Sequence, residues 1–283
     1  MALDFIPTVW AARLLAALDN ALIYGQANVC NRDYEGDIRE KGNTVKIGSI
    51  GAVAVDDYTK DSDIAEAQPL SDSEQTLLID QAKYFHFYVD RIDQAQQNVN
   101  VLDEAMRESA HKLRELADRF LAAAMDGAVP AGNTIGSTAV PKVPTKNDAY
   151  EYVVDLSVLL DQSNTPTTGR FCIVPAWFHG LLLKDDRFVR SGTATGDGRL
   201  ANGEVGEAAG LRIMKSNNVP NTGNSKFKIF AGHARATAYV EQVLDVHTYK
   251  PERRFGDAVK GLHVYGAKVV RPECLACLIA DRS

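Results

Sequence analysis

The sequence predicts an α+β fold with two extended appendages, and three observations carry that prediction. Two alternating apolar and polar runs, 44–55 and 76–92, have the period of two expected of half-buried strands. An apolar stripe at helical spacing runs from Val101 to Met125. Beyond it, shorter helical and strand-like patterns interleave without the strict order of parallel βαβ units. The 283 residues, 45% hydrophobic and 24% charged, suffice for one large domain or two intimately joined ones and do not describe a disordered tail.

The elements follow in order. Ile6 to Val29 are amphipathic, with Trp10, Leu14, Leu15, Leu18 and Leu22 at helical spacing, and they lead into the polar turn Asn31-Arg32-Asp33-Tyr34-Glu35-Gly36, so 1–43 reads as an arm. In the first alternating run Val45, Ile47, Val53 and Val55 share one face while Thr44 and Lys46 take the other; in the second, Ile79, Phe85, Phe87 and Val89 share a face. Together they predict a long β-hairpin over 44–93. Its tip, 56–74, carries Asp56, Asp57, Asp61, Asp63, Glu66, Asp72 and Glu74 against one Lys60 and has too few apolar residues to pack on a core. It is expected to project into solvent or onto a neighbour.

The helix from Val101 to Met125 carries Leu102, Ala105, Met106, Ser109, Leu113, Leu116, Ala117, Phe120, Leu121 and Ala124 on one stripe. Asn100 with Asp103 resembles a capping box, and Gly127 is expected to supply a left-handed terminator. Asp103-Arg107, Glu108-Lys112 and Glu115-Arg119 are spaced to pair on the outer face, each contributing about 0.2–0.5 kcal/mol. A beam roughly 37 Å long results, at about 1.5 Å per residue. The Gly/Pro/Thr-rich segment 129–144 connects it to a second helix capped by Thr145 and Asp148, with Ala149, Tyr152, Val153, Leu156, Leu159 and Leu160 inward and Pro166 beyond its end. A strand at Arg170 to Val174, a helix around Ala176 to Leu183 and a glycine-rich loop from Gly192 to Gly206 come next. Strand-like runs follow at Leu211 to Lys215, Phe227 to Ala231, Leu244 to Tyr249 and Leu262 to Val270.

Composition narrows the function. A formal net charge of -6, with acids and bases spread along the chain, gives no footprint for tight binding of a phosphate backbone. The amino-terminal segment lacks the basic and apolar regions of a signal peptide, and the longest apolar runs fall well short of a membrane span. Four irregularly spaced cysteines, Cys30, Cys172, Cys274 and Cys277, suit a reducing compartment, so synthesis in a cytoplasm is expected.

Sharper motifs weigh little. Gly196-Asp197-Gly198-Arg199-Leu200-Ala201 fits a dinucleotide fingerprint formally, but Arg187 to Thr195 is polar and broken by Gly192 where a buried strand is required, so a mobile loop is the better reading. Cys274-Leu275-Ala276-Cys277 has no second ligand pair for zinc, and burial near a terminal strand is favoured. The six histidines show no metal spacing, and no nucleophile elbow occurs. No cofactor, metal or catalytic residue is expected.

Three patches in order carry a resemblance. They are Ile6-Pro7-Thr8-Val9-Trp10 with Asn31 to Gly36 and Gly42-Asn43-Thr44-Val45-Lys46-Ile47; Gly203 to Gly210 with Leu211-Arg212-Ile213 and Ser216-Asn217-Asn218-Val219-Pro220; and Phe255 to Leu262 with Val264 to Glu273. This sequence resembles the major capsid proteins of tailed bacteriophages, with the Hong Kong 97-type fold. The resemblance implies that 44–93 is the E-loop, that 101–125 is the spine helix, that 145–245 is the axial domain and that 94–144 with 246–283 is the peripheral domain.

It further implies a structural protein without enzymatic activity that assembles with itself into pentamers and hexamers of an icosahedral shell. That shell encloses double-stranded DNA without sequence-specific binding. A scaffolding protein, a portal and a decoration protein are the further partners it allows, and a membrane is not among them. The arm begins at Met1 without a long scaffolding extension, so a separate scaffold or none is expected. Residues expected to touch neighbouring subunits are Trp10, Leu14, Tyr34, Val45, Ile47, Lys60, Phe85, Phe87 and Arg199, the last in the glycine-rich loop near the capsomer axis. Some members of the family cross-link their subunits; Lys60, one lysine among many acids, is better read as a solvated charge or an intersubunit salt bridge. Two rivals stand beside this reading: a nanocompartment shell of the same fold that holds protein cargo, and a soluble oligomeric nucleotide-binding enzyme using the 192–206 loop.

Overall fold

The computed structural model describes residues 23–36, 44–50, 57, 60, 63, 72–90, 101–185, 206–252 and 256–282. The chain first forms β1 (Thr44–Ile50) and β2 (Asp72–Leu78), then β3 (Gln81–Asp90) and the helix α1 (Val101–Asp126). After a short β4 (Thr134–Ile135) come α2 (Ala149–Gln162), β5 (Arg170–Val174) and α3 (Ala176–Leu182). Four strands, β6 (Glu207–Ala208), β7 (Leu211–Lys215), β8 (Asn221–Thr222) and β9 (Lys226–His233), lead to the long β10 (Thr237–Tyr249) and β11 (Gly256–Val269), and β12 (Leu275–Asp281) closes the described chain.

The largest sheet has the order β4-β12-β9-β5-β7-β6, with β8 paired to β9. Its β5 and β12 strands are buried on both faces, which is why they read as continuous apolar runs rather than alternations. Phe171, Ile173, Phe230, Leu275, Cys277 and Ile279 join Ala117, Leu121 and Met125 of α1 in one core. On the opposite face Cys172, Val174, Ile229, Ala276 and Leu278 join Val153, Leu156 and Leu160 of α2 and Phe178 of α3. Helix, sheet and helices therefore stack in three layers. A buried Leu or Phe contributes about 1.5–3 kcal/mol, so these two clusters dominate the stability of the molecule.

The second sheet, β10-β11-β3, is antiparallel, and α1 lies against its β11 and β3 strands. Phe120 of α1 meets Tyr265 of β11 edge-on at 5.5 Å. A register shift between Val243 and Asp245 reverses which β10 residues share a face. Tyr239 and Glu241 before the shift are buried, and Val246 takes over after it.

Several expectations are corrected at element scale. The run 76–92 is two strands: β2 pairs with β1 from Thr44↔Leu78 to Ile50↔Asp72, whereas β3 pairs with β11. The inward parity is kept across the break, since Leu77 and Ile79 are buried and Leu78 is exposed. Gly266 explains the close crossing, because a methyl there would overlap the Leu78 carbonyl oxygen. Gly127 is not left-handed; its N–H donates to Ala123 at 3.1 Å, and the N–H groups of Ala128 and Val129 both donate to Met125, so α1 ends on backbone bonds. Glu115 pairs with Arg119 at 2.6 Å as expected, but Lys112 turns to Glu115 instead of Glu108. The residues for the α1 capping box lie outside those with described side chains.

Thr145 does not cap α2: its hydroxyl accepts from Asn147 one turn early, and Asp148 makes no side-chain cap bond. The strand β12 was missing from the alternating runs because every residue from Leu275 to Ala280 is buried. The expected boundary at 245/246 separates β12 from the sheet in which it lies, between β4 and β9.

Candidate assembly site

Two structures reach the surface from a common base: the exit of the amino-terminal arm, 23–36, and the root of the hairpin. The arm exit is fixed by two buried carboxylates. Asp118, on the apolar side of α1, accepts the Ile23 N–H at 3.2 Å on both oxygens and the Tyr24 N–H at 3.2 Å. Burial raises its carboxyl to about 6, against the opposing hydrogen bonds from Ile23, Tyr24, the Asn218 side chain and Gly25. Tyr24, Val29 and Cys30 then enter the core of α1 and the large sheet.

Farther along, Asn31 extends β10 by a parallel bridge: its N–H donates to Thr237 at 2.8 Å and its carbonyl accepts from Tyr239 at 2.9 Å. Arg32 pairs with Glu241, which also accepts from the Tyr239 hydroxyl at 2.7 Å and contacts His263 Nε2 at 3.2 Å. Burial disfavours the Glu241 anion, but these hydrogen bonds and the Arg32 charge outweigh it and hold the carboxyl below its usual range. The polar turn of the arm is thus a staple into the β10-β11 sheet.

The hairpin root is covered at home. Val45 and Ile47 are each 3% exposed, packed with Leu77, Ile79, Ala238 and Val240, and Tyr34 of the arm exit lies half-buried against them. Val45 and Ile47, expected to touch neighbouring subunits, are therefore covered by the chain itself at this level. Among the described residues, β1 leaves its polar face and one backbone edge uncovered. Lys46 on that polar face pairs with Glu74 at 2.7 Å.

Phe85 and Phe87 stack at 6.0 Å on β3, half-buried, with the Phe85 ring over Gly261 of β11. Among the described residues the opposite face of this sheet is open. There Tyr84 is 78% exposed, His86 is hydrogen-bonded to Tyr249 at 2.8 Å, and Lys260 lies 5.7 Å above the Tyr249 ring, around a groove of about 370 Å³. Lys60 is exposed, as are Asp57 and Asp63 beside it in sequence. Trp10, Leu14 and Arg199 lie outside the described residues, as does most of the 192–206 loop.

The structure thus brings Tyr34, Val45 and Ile47 together and leaves Phe85 and Phe87 on a separate strand. The sequence reading missed Arg32, Asp118, Glu241 and His263. Asp118 carried a signal, an acid on the helix arc that also holds Ala117, Leu121 and Ala122. Both CxxC cysteines are buried in the core of α1 and the large sheet, and among the described residues no cluster could hold a metal ion.

Comparison with known proteins fits this architecture. A family model described as phage capsid protein matches residues 74–278. No curated protein matches the sequence. A solved structure from Mycobacterium phage Che8 is 30% identical, with a TM-score of 0.70 and coverage of 91% of this chain and 90% of that one. The capsid structure of the cyanophage P-SCSP1u is 19% identical, with a TM-score of 0.67 and coverage of 86% and 85%; the mature capsid of bacteriophage PhiM1 is 16% identical, with a TM-score of 0.60 and coverage of 85% and 83%. The last two bear on the fold alone. With the family matched across most of the chain and the three-layer body, long helix and paired-strand root all in place, the chain belongs to the phage capsid protein family, as a tailed-bacteriophage major capsid protein of the Hong Kong 97-type fold.

Proposed function

We propose that this shell-forming protein assembles as pentamers and hexamers into an icosahedral head that encloses packaged double-stranded DNA, and that assembly takes place in the host bacterial cytoplasm. Its work is done by contacts rather than by a reaction. The observation that carries the reading is that the arm exit and the hairpin root are both anchored on β10, by Asn31 and Arg32 on one side and by Val45 and Ile47 on the other. Two reaching segments based on one rigid strand suit heterologous contacts, which close into rings when the rotation allows. In this reading 145–245 forms the axial domain, with β12 added to its sheet, the flanking segments form the peripheral domain, and 44–93 is the E-loop.

Negative-stain microscopy of the purified protein tests it, with hollow shells expected and small discrete oligomers counting against it. Particles from infected cells are expected to hold nuclease-protected DNA; protein cargo in its place would favour the nanocompartment reading, to which a Synechococcus elongatus encapsulin complex, 14% identical with a TM-score of 0.55, offers a likeness of fold.

A further inference from the structure

The arm exit is fastened at two points of different chemistry. At its start, Asp118 of α1 accepts the N–H groups of Ile23 and Tyr24, each at 3.2 Å, and the Gly25 N–H and the Asn218 side chain reach the same carboxylate. At its end, Asn31 is bonded both ways to β10 and Arg32 pairs with Glu241. Between these points the chain turns on itself. The Val29 and Cys30 N–H groups donate to the Gln26 carbonyl at 2.8 and 2.9 Å, and the Cys30 thiol donates to the Tyr24 carbonyl at 3.1 Å. The turn therefore carries hydrogen bonds of its own, and Asp118 joins its start to α1.

Seating the turn has a cost as well as a gain. Tyr24, Val29 and Cys30 are fully buried against α1 and the large sheet, but the Tyr24 hydroxyl has no hydrogen-bond partner among the described residues, which offsets part of the apolar burial. The core on the other face of that sheet, against α2 and α3, contains no residue of the arm exit, so it can stay closed when the turn leaves. The groups that face Asp118 decide when it does. From the arm exit they are the Tyr24 phenol and the Cys30 thiol, both kept uncharged by burial, and from the segment after β7 the Asn218 side chain, which does not titrate. Arg32 acts on the Cys30 thiol from the far end of the turn but is paired with Glu241. Burial thus prevails and raises the Asp118 carboxyl to about 6. Glu241 faces Arg32, Tyr239 and His263, which hold its carboxyl below the usual range, so the second fastening keeps its charge over the interval in which Asp118 titrates. The seated turn favours protonated Asp118, and an open turn returns the group to its ordinary value of 3.8. Seating is therefore strongest below 3.8 and is lost progressively as pH rises through 6.

We propose that residues 23–30 form a pH-sensitive latch: when Asp118 ionises the turn leaves α1, while Asn31 and Arg32 stay fastened to β10 and the body remains folded. The latch belongs to the single subunit and does not rest on the shell-forming reading.

Amide hydrogen exchange in the full-length protein, with the intrinsic rates divided out, tests the latch. Protection of the Tyr24, Val29 and Cys30 N–H groups is expected to fall about tenfold between pH 5 and pH 7 and to level off above it, the change that linkage sets for a carboxyl moving between these two values. At pH 7 these amides are expected to exchange at least about tenfold faster than those of β9, and faster than the Asn31 N–H. Asp118→Asn, which cannot ionise, is expected to remove the fall. Equal protection in the turn and in β9 would mean that the turn opens only with the whole body, and overturns the proposal. Protection at Tyr24 that does not change with pH overturns it too, as does an Asn31 N–H that exchanges faster than that of Tyr24. A folded Asp118→Asn that keeps the wild-type fall counts equally against it; if that variant does not fold, the wild-type comparison of the turn with β9 decides.

Discussion

At the scale of single residues, the two buried carboxylates that hold the arm exit respond to pH with opposite signs. Asp118 has a carboxyl raised to about 6 from 3.8, so the folded state holds its proton more tightly than the unfolded chain does. Its contribution to stability therefore grows as pH falls from above 6 towards 4, by about 3 kcal/mol at 1.36 kcal/mol per unit. Asp118→Asn is expected to flatten this rise in thermal melts between pH 7.5 and 5, and to be no less stable than wild type at pH 7.5. Asp118→Ala is expected to lose about 1–3 kcal/mol, because the Ile23 and Tyr24 N–H groups are left without their acceptor. A wild-type pH profile in Asp118→Asn would remove the assigned role.

Glu241 behaves in the reverse sense. Its lowered carboxyl contributes stability above its unfolded value of 4.5, and this is lost as pH falls through the lower folded value. Glu241→Ala is expected to cost about 3–5 kcal/mol at neutral pH, since it removes the buried carboxylate that Arg32, the Tyr239 hydroxyl and His263 share. Chemical denaturation of the subunit reads this directly, and a loss below about 1 kcal/mol would show that Arg32 is satisfied elsewhere. None of these couplings was legible in the sequence. Arg32 and Glu241 stand 209 residues apart, and nothing local distinguishes either from a surface charge.

At the scale of elements, legibility followed periodicity. The α1 helix, the inward face of α2 and the paired strands of the hairpin were readable because each buries one side against a core and leaves the other wet. Where both sides are buried the alternation vanishes, and β12 was missed for that reason. The break between β2 and β3 was hidden by the opposite effect, since the inward parity continues through Leu77, Ile79 and Phe85 although the partner strand changes. What makes that change possible is the bare backbone of Gly266. Gly266→Ala is expected to destabilise the subunit by about 1–3 kcal/mol, because the obstacle is the Leu78 carbonyl and the backbone at Ile79 rather than a side-chain tip that can swing aside. At Gly261→Ala the nearest obstacle is the Phe85 ring, and the substitution is expected to cost less as the ring turns aside. Equal losses for the two would contradict the crossing as the tighter constraint.

At the scale of the whole molecule, the hairpin connector and the body answer to different forces. Deleting 56–74 removes three β2 residues, Asp72, Ser73 and Glu74, yet leaves Val45, Ile47, Leu77 and Ile79 of the root cluster in the chain. The subunit is expected to stay folded by circular dichroism while closed particles are lost; normal shells from the deletion would refute the role given to the hairpin. The body poses a separate question, because the domain division expected from the sequence cuts a sheet that the structure makes continuous. Cys172 on β5 and Cys277 on β12 lie on opposite sides of that division and on opposite faces of the sheet. Both thiols are buried, and burial pushes each up to about 12, so neither reacts until the sheet opens.

The two strands are both hydrogen-bonded to β9, between them, so opening one removes a neighbour from the strand that holds the other. Pulsed alkylation across a denaturant gradient is therefore expected to modify Cys172 and Cys277 at one midpoint, as parts of a single cooperative unit. Separate midpoints would show instead that the boundary at 245/246 divides the stability of the body even though it does not divide the sheet.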